Sequence, residues 1–210
     1  IIVGAIIGII NGILVVKLKL NAFIATLSLL ILLRGITLGI TSGKTLYNLP
    51  DAFVWMGSKT CLSIPISVWI TVTLFVIAGL FLTYHRIGRE IYAVGGNAEA
   101  ARAAGIRVET IRFGAYIVGG ILAAIAGLML SGRIASVTAN QGYNIFLSVM
   151  AACVIGGVSL NGGRGTVVGA FTGVILLGTV NNILTLSQIQ SFWIDATLSL
   201  IHISEPTRPY

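Results

Sequence analysis

Charge is scarce in this 210-residue chain: 9% of the residues are Asp, Glu, Lys or Arg, 56% are hydrophobic, and the mean hydropathy is +1.00. A soluble domain of this size needs far more Lys and Glu on its surface, so the composition excludes that class and points to an integral membrane protein. Cysteine and histidine are scarcer still, at two residues each. Cys61 and Cys153 show no metal-ligand spacing and suggest no disulfide, and His85 and His202 fall at or beyond the ends of apolar runs. No Cys/His/Asp/Glu cluster has ligand spacing. A membrane enzyme needs acids, bases, nucleophiles or a metal at its site, and catalysis here has almost no residues to use. The opening "IIVGAIIGIINGILVV" has no Met, no basic n-region and no small-residue cleavage site. It is not expected to be a signal peptide and reads as a piece cut within or just before a membrane span.

What charge there is carries a sign, with 13 Lys and Arg against 6 Asp and Glu. The basic residues form no tract interleaved with aromatics, so no nucleic-acid partner is expected. They fall instead between apolar runs, as loop charges do in a membrane protein. Taking a span as roughly 17–25 apolar residues, the runs are 1–16, 22–40, 63–83, 113–130, 144–158 and 166–186, and a seventh opens at Ser191 and is lost after Ile201. The fold class expected is all-α, a polytopic transmembrane helical bundle of about six or seven spans. The 144–158 run is short, so it either spans or is re-entrant. If every run spans, one side holds Lys17, Lys19, Arg86, Arg89, Arg102, Arg107, Arg112 and Arg164, and the other holds Lys44, Lys59 and Arg133. The positive-inside rule then makes the first side cytoplasmic.

An internal repeat fits this topology. "VGAIIGIINGIL" (3–14) returns as "VGAFTGVILLGTVNNIL" (168–184), and "FIATLSLLI" (23–31) returns as "WIDATLSLI" (193–201). On this assignment the copies run in opposite directions, the pattern of an inverted-topology repeat. The turn of the first copy, "KLKLN", is basic, and that of the second, "LSQIQS", is uncharged. Gly4, Gly8 and Gly12, like Gly165, Gly169 and Gly173, recur every four residues and line one helix face. Backbones can approach closely there, within the bundle or against a second copy.

Two stretches imitate a phosphate loop. "TSGKT" (41–45) has Leu38 where the first Gly belongs, and "GVSLNGGRGT" (157–166) has no Lys in place, so both are expected to be flexible turns and the chain is not expected to bind ATP. A carrier driven by protons or sodium usually places an ionisable group in the membrane. Asp195 lies in the broken last run and Arg34 lies about six residues, or ~9 Å, from the outer end of its helix, where it can snorkel or line a polar pathway. No coupling acid remains, so energy must enter from elsewhere. Asn11, Arg34, Asn144, Asn181 and Asn182 are the candidate pathway residues, with Asn140 and Gln141 beside them. Amide side chains offer both donors and acceptors to a hydroxyl-rich solute, and serve equally for interhelical hydrogen bonds.

One short stretch breaks the apolar pattern. "GGNAEAARAAG" (95–105) reads as a complete miniature helix over 98–104. Asn97 can cap it, Glu99 suits its first turn, and Gly105 can end it in a left-handed conformation. At ~10 Å it cannot cross a membrane. It is either held against its own bundle or a docking element, in which Glu99 and Arg102 can make polar contacts.

At these residues the chain resembles the permease subunits of bacterial ABC importers of the ribose/xylose/galactose type. "GREIYAVGGNAEAARAAGI" (88–106), "LNAFIATLSLLILLRGITLGITSG" (20–43) and "VIGGVSLNGGRGTVVGAFTGVILLGTVNNIL" (154–184) carry the likeness. The resemblance implies a permease domain over 1–201, cut at its start and within its last span, with a cytoplasmic coupling loop at 84–112. It implies docking of an ABC ATPase subunit through Gly95, Gly96, Asn97, Glu99, Ala100, Ala101, Arg102 and Gly105. It also implies a second permease copy as homodimer partner, an extracytoplasmic sugar-binding protein, surrounding membrane lipid, and ATP and Mg bound by the ATPase and no cofactor held by this chain. Glu99-Ala100-Ala101-x-x-x-Gly105 matches the first half of the general importer pattern, but Ala115, Ile117 and Val118 stand where its Ile-x-Leu-Pro half belongs. That departure disfavours a maltose-type permease. A branched-chain amino-acid or signal-molecule permease of the same superfamily stays open, as does a stand-alone channel or secondary carrier. The tail "HISEPTRPY" (202–210), with Pro206 and Pro209, does not continue a transmembrane helix, and reads as a foreign or mis-assembled end.

Overall fold

The computed structural model describes residues 1–47, 49–143 and 145–187. The chain falls into two compact units, Ile1–Gly142 and a second that begins at Tyr143. In the first, α1 (Ile2–Gly12) continues through a π-helical turn over Ile13–Lys17, followed by α2 (Ala22–Thr41) and α3 (Asp51–Ser58). A minimal antiparallel hairpin, β1 (Thr60–Cys61) with β2 (Ile64–Pro65), leads into α4 (Ile66–Tyr84), α5 (Arg86–Gly96), α6 (Ala98–Ala103) and α7 (Val108–Ile134). The second unit holds α8 (Ile145–Ile155) and α9 (Val167–Leu186).

Among the described residues, α2, α4, α7 and α9 are long and apolar enough to cross a membrane. Ile2–Lys17 and α8 are shorter apolar helices. At 1.5 Å per residue α8 is ~16 Å long, about half of a ~30 Å hydrocarbon core, so it does not cross as a single straight helix. The re-entrant alternative for 144–158 fits this length. The seventh run, Asp195 and the 202–210 tail lie outside the described residues. Three elements were not expected: α3, α5 and the β1–β2 hairpin, a small exception to an all-α chain.

Local chemistry sets the helix ends. Asn21 caps α2, its Oδ1 accepting from the N–H groups of Phe23 (3.0 Å) and Ile24 (3.3 Å). α2 closes on Ser42 and Gly43, both left-handed (φ 51° and 70°), so "TSGKT" is a helix-ending turn. "GVSLNGGRGT" is likewise a turn, with positive φ at Gly157, Gly162, Gly163 and Gly165, and it delivers Thr166 to cap α9 at the Gly169 N–H (2.9 Å).

Glycine governs how the helices meet. A Cβ on Gly8 would lie 2.8 Å from Ile117 Cα, and one on Gly120 would collide with the Gly4 carbonyl; Gly12 packs on the Phe113 ring. α1 therefore lies backbone to backbone on α7. Gly57 of α3 meets Gly132 at the far end of α7 in the same way. In the second unit Gly169 and Gly173 of α9 close on Ala152 of α8 and on Gly156 just past its end. Gly4 and Gly8 occupy the repeat positions of Gly169 and Gly173, and each pair faces a neighbouring helix. The packing reading holds for Gly4, Gly8, Gly12, Gly169 and Gly173, but Gly165 does not share that face: it lies in the turn before α9, at φ 143° against Val158. Outside these seams the chain shows apolar residues: α4 buries none of its residues, and Ile24, Leu32, Val76 and Ile183 are all more than half exposed.

Adjacent glycines on α7 give a direct test. Gly120→Ala should destabilise the detergent-solubilised full-length permease by about 1–3 kcal/mol through overpacking. Gly119→Ala, whose Cβ meets nothing within 4 Å, should leave it unchanged or slightly stabilised. Thermal unfolding of the two variants side by side reads the difference.

Candidate functional site

The exception to the apolar pattern, residues 86–112, folds into two short helices and the first turn of α7. α5 begins directly after α4: His85 ends one helix and starts the next, its Nδ1 accepting from the Ile87 N–H (3.2 Å). Gly88 lies so close to the backbone of Phe81 and Leu82 that a Cβ would clash, which fixes a tight corner. Ile87, Ile91 and Val94 repeat at helical spacing, with Arg86 and Glu90 paired on the polar side (2.8 Å). That periodicity was the available signal for α5, and the glycine pair at its end masked it.

α6 is closed at both ends. Asn97 Oδ1 accepts from the Glu99 and Ala100 N–H groups, each at 3.0 Å. At the other end the Ile106 N–H donates to the Ala101 carbonyl (3.0 Å), the Gly105 N–H donates to the Arg102 carbonyl (3.0 Å), and Gly105 has φ 83°. This is a Schellman closure with the expected left-handed glycine. The helix is one residue shorter than read from sequence, with Ala104 as its C-cap. A six-residue helix is marginal alone, so the caps matter, and so does a small core: Ala101 is buried with Val94 of α5 and Val108 of α7, with Ala98, Ile106 and Ile111 packed around them.

That core sorts the proposed docking residues. Ala101 faces inward and anchors α6, and Gly95 is half-buried. Gly96, Asn97, Glu99, Ala100, Arg102 and Gly105 are exposed and form one small-residue surface with Ala103 and Ala104. Arg102 does not pair with Glu99, as its spacing allowed. Its guanidinium reaches the Glu109 carboxylate at 2.5 Å and ties α6 to α7 a second time. With 27 residues, or ~40 Å, α7 exceeds the hydrocarbon thickness, and its charged start, with Glu109 and Arg112, precedes the apolar run that begins at Phe113. There the Glu109 carboxyl is held below its ordinary value, first by a hydrogen bond from its own backbone N–H and then by Arg102. A lowered carboxyl keeps the pair intact at neutral pH and loses it only as acid protonates Glu109.

The pathway candidates separate. Arg34 is half-buried on α2 and its Nε donates to Asn140 Oδ1 (2.9 Å) in the turn after α7, so these two are brought together. Asn11 Oδ1 on α1 and Asn181 Oδ1 on α9 are buried without a hydrogen-bond partner among the described residues, and so is Gln141 Nε2. Asn182 is exposed, and Asn144 lies outside the described residues. Leaving a buried amide oxygen unpaired costs about 1–3 kcal/mol.

Long apolar helices joined by a capped, charged loop define a multi-pass membrane permease, and the comparisons with known proteins agree. The chain belongs to the family of branched-chain amino acid transport system permease components, whose model matches residues 1–203. Its setting is the bacterial inner membrane. It is similar to the ribose import permease protein RbsC of Haemophilus influenzae, 40% identical over 91% of this chain and 60% of that protein. The RbsC protein of Escherichia coli K12 is also 40% identical, over 90% of this chain and 60% of its own length. The autoinducer 2 import system permease protein LsrC of Klebsiella pneumoniae is 37% identical over 95% of this chain and 58% of that protein. The chain thus spans about 60% of the length of the curated relatives it matches. No solved structure matches it.

The caps are testable alone. Asn97→Ala should destabilise α6 by about 1 kcal/mol, which speeds amide exchange at Glu99 and Ala100 about fivefold. Asn97→Asp should restore most of the protection. Hydrogen exchange with peptide-level mass spectrometry reads both.

Proposed function

We propose that this chain is part of the permease subunit of an ATP-binding-cassette importer that carries a monosaccharide such as ribose. In this reading an extracytoplasmic binding protein delivers the sugar, a second permease copy completes the pathway, and a separate ATPase subunit binds ATP and Mg. The permease has no ATPase site of its own. The observation that carries the reading is α6: a helix too short to stand alone, closed at both ends, anchored by Ala101 to Val94 and Val108, and showing small residues outward. A surface of Gly and Ala with only Asn97, Glu99 and Arg102 rising from it accepts a close-fitting partner, and the two ties of α6 to α7 pass a push directly to a membrane helix. The similarity to ribose import permeases supports the sugar assignment.

The mechanism is alternating access. Closure of the ATPase domains pushes on α6, the Ala101–Val108 contact and the Arg102–Glu109 pair move α7, and α7 carries α1 through the glycine seam. In the first unit the buried amide oxygen of Asn11, and in the second that of Asn181, is each free to accept a hydrogen bond from a sugar hydroxyl. Energy enters at α6, and no bond in the solute changes.

Ala100→Trp tests this, because Ala100 is exposed and its change leaves the caps and the inward face intact. In the full-length complex purified from native membranes, the variant should insert normally but lose the co-purifying ATPase and at least tenfold of labelled-ribose uptake, about 1.4 kcal/mol of coupling. Wild-type uptake without any ATPase, or a variant that keeps both, would reject the reading in favour of a channel or secondary carrier.

A further inference from the structure

The turn between α1 and α2 lies beside α6 and the start of α7, and a cavity of about 400 Å³ opens between them. Its polar lining is Lys19, Arg102, Glu109 and Arg112, three cations against one carboxylate, and Val15, Val16, Leu20 and Val108 form its apolar wall. Arg102 pairs with the one carboxylate and Arg112 acts on it at longer range, so three cations against one anion leave the mouth net positive, with Lys19 and Arg112 outside the ion pair to face an incoming anion. Lys19 has an uncommon left-handed backbone for a residue with a Cβ, φ 54°, two residues past the end of the π-helical turn at Lys17.

A second cavity of about 370 Å³ shares Leu20 with the first and follows α2 from Asn21 to Leu32. Its walls are almost wholly apolar, with Leu14, Ile24, Ala25, Leu29 and Leu32 contributing. Eleven residues of helix give it a reach of ~16 Å into the membrane. A cationic mouth at the membrane surface, continuous with an apolar groove of acyl-chain proportions, matches one kind of molecule. We propose that this is a binding site for an anionic phospholipid of the cytoplasmic leaflet, its phosphate between Lys19 and Arg112 and one acyl chain along α2. A free phosphate explains the mouth but leaves the groove uncovered. An uncharged lipid explains the groove but not the cations. The bound lipid would join the α1–α2 turn to the base of α6, so the docking helix would sense the membrane it stands on.

The test uses the full-length permease with its ATPase in nanodiscs of phosphatidylcholine containing phosphatidylglycerol with a photoreactive acyl chain. Illumination should place the lipid adduct on peptides covering residues 14–32. Each basic residue near the surface contributes about 1 kcal/mol to anionic lipid binding, so Lys19→Gln and Arg112→Gln should each lower the adduct about fivefold. Ser28→Trp, an exposed position in the groove wall, should block the adduct with the mouth intact. Retained ATPase co-purification shows that these variants are folded. Equal labelling by a photoreactive phosphatidylcholine, indifferent to both charge variants, would overturn the proposal. So would displacement of the phosphatidylglycerol by inorganic phosphate, or a groove cross-linked to another permease segment in place of lipid.

Discussion

The structure of the first unit depends on two helices touching through their backbones. Lipid tails are as apolar as leucine, so burying Ile and Leu between helices gains little in a membrane, and association rests on packing and hydrogen bonds. Gly4 and Gly8 of α1 against Gly120 of α7 remove the side chains that would hold the helices apart. Close approach then brings whole backbone surfaces into dispersion contact. A single added methyl group meets a backbone atom there, and backbone cannot rotate away as a side chain can.

The same helix collects the other contacts. Gly132, at its far end, receives Gly57 of α3, while Val108 at its near end closes the small core that holds α5 and α6. α7 is thus one continuous rod of 27 residues with α6 packed at one end and other helices along its length. A force on α6 meets buried carbon at Ala101, and the exposed Arg102–Glu109 pair adds a weaker, solvent-screened tie. In the proposed importer this is how an energy source outside the chain reaches the membrane helices.

What the sequence made legible was local. The Asn97 cap and the left-handed Gly105 follow from one residue's own conformational preferences and stand where expected, as does the four-residue glycine spacing of α1, whereas Gly165 falls in the turn before α9 and off the second stripe. The partners were not legible. Nothing in "AEAARAAG" says that Ala101 faces Val108 or that Arg102 passes over Glu99 for Glu109, because those choices belong to the angle at which α6 meets α7. α7 starts five residues earlier than its apolar run, since charged residues are free to continue a helix once it leaves the lipid. α5 and α3 went unread because each is short and ends at or near glycine, and because α3 lacks the length that marks a span. The 144–158 run was ambiguous by length, and α8 is short enough to explain why.

Rigid coupling of α6 to α7 is the central claim, and a distance measurement addresses it directly. Spin labels at Ala103 on exposed α6 and Ile134 at the far end of α7, in the full-length ATPase complex, should lie about 40 Å apart by helix geometry. If α6 and α7 move as one body, that distance is unchanged between nucleotide-free and ATP-trapped complexes, while the distance from Ala103 to its counterpart in the second permease copy shifts. A change in the intramolecular distance with the intermolecular one fixed would mean that α6 moves on α7, and would contradict the claim.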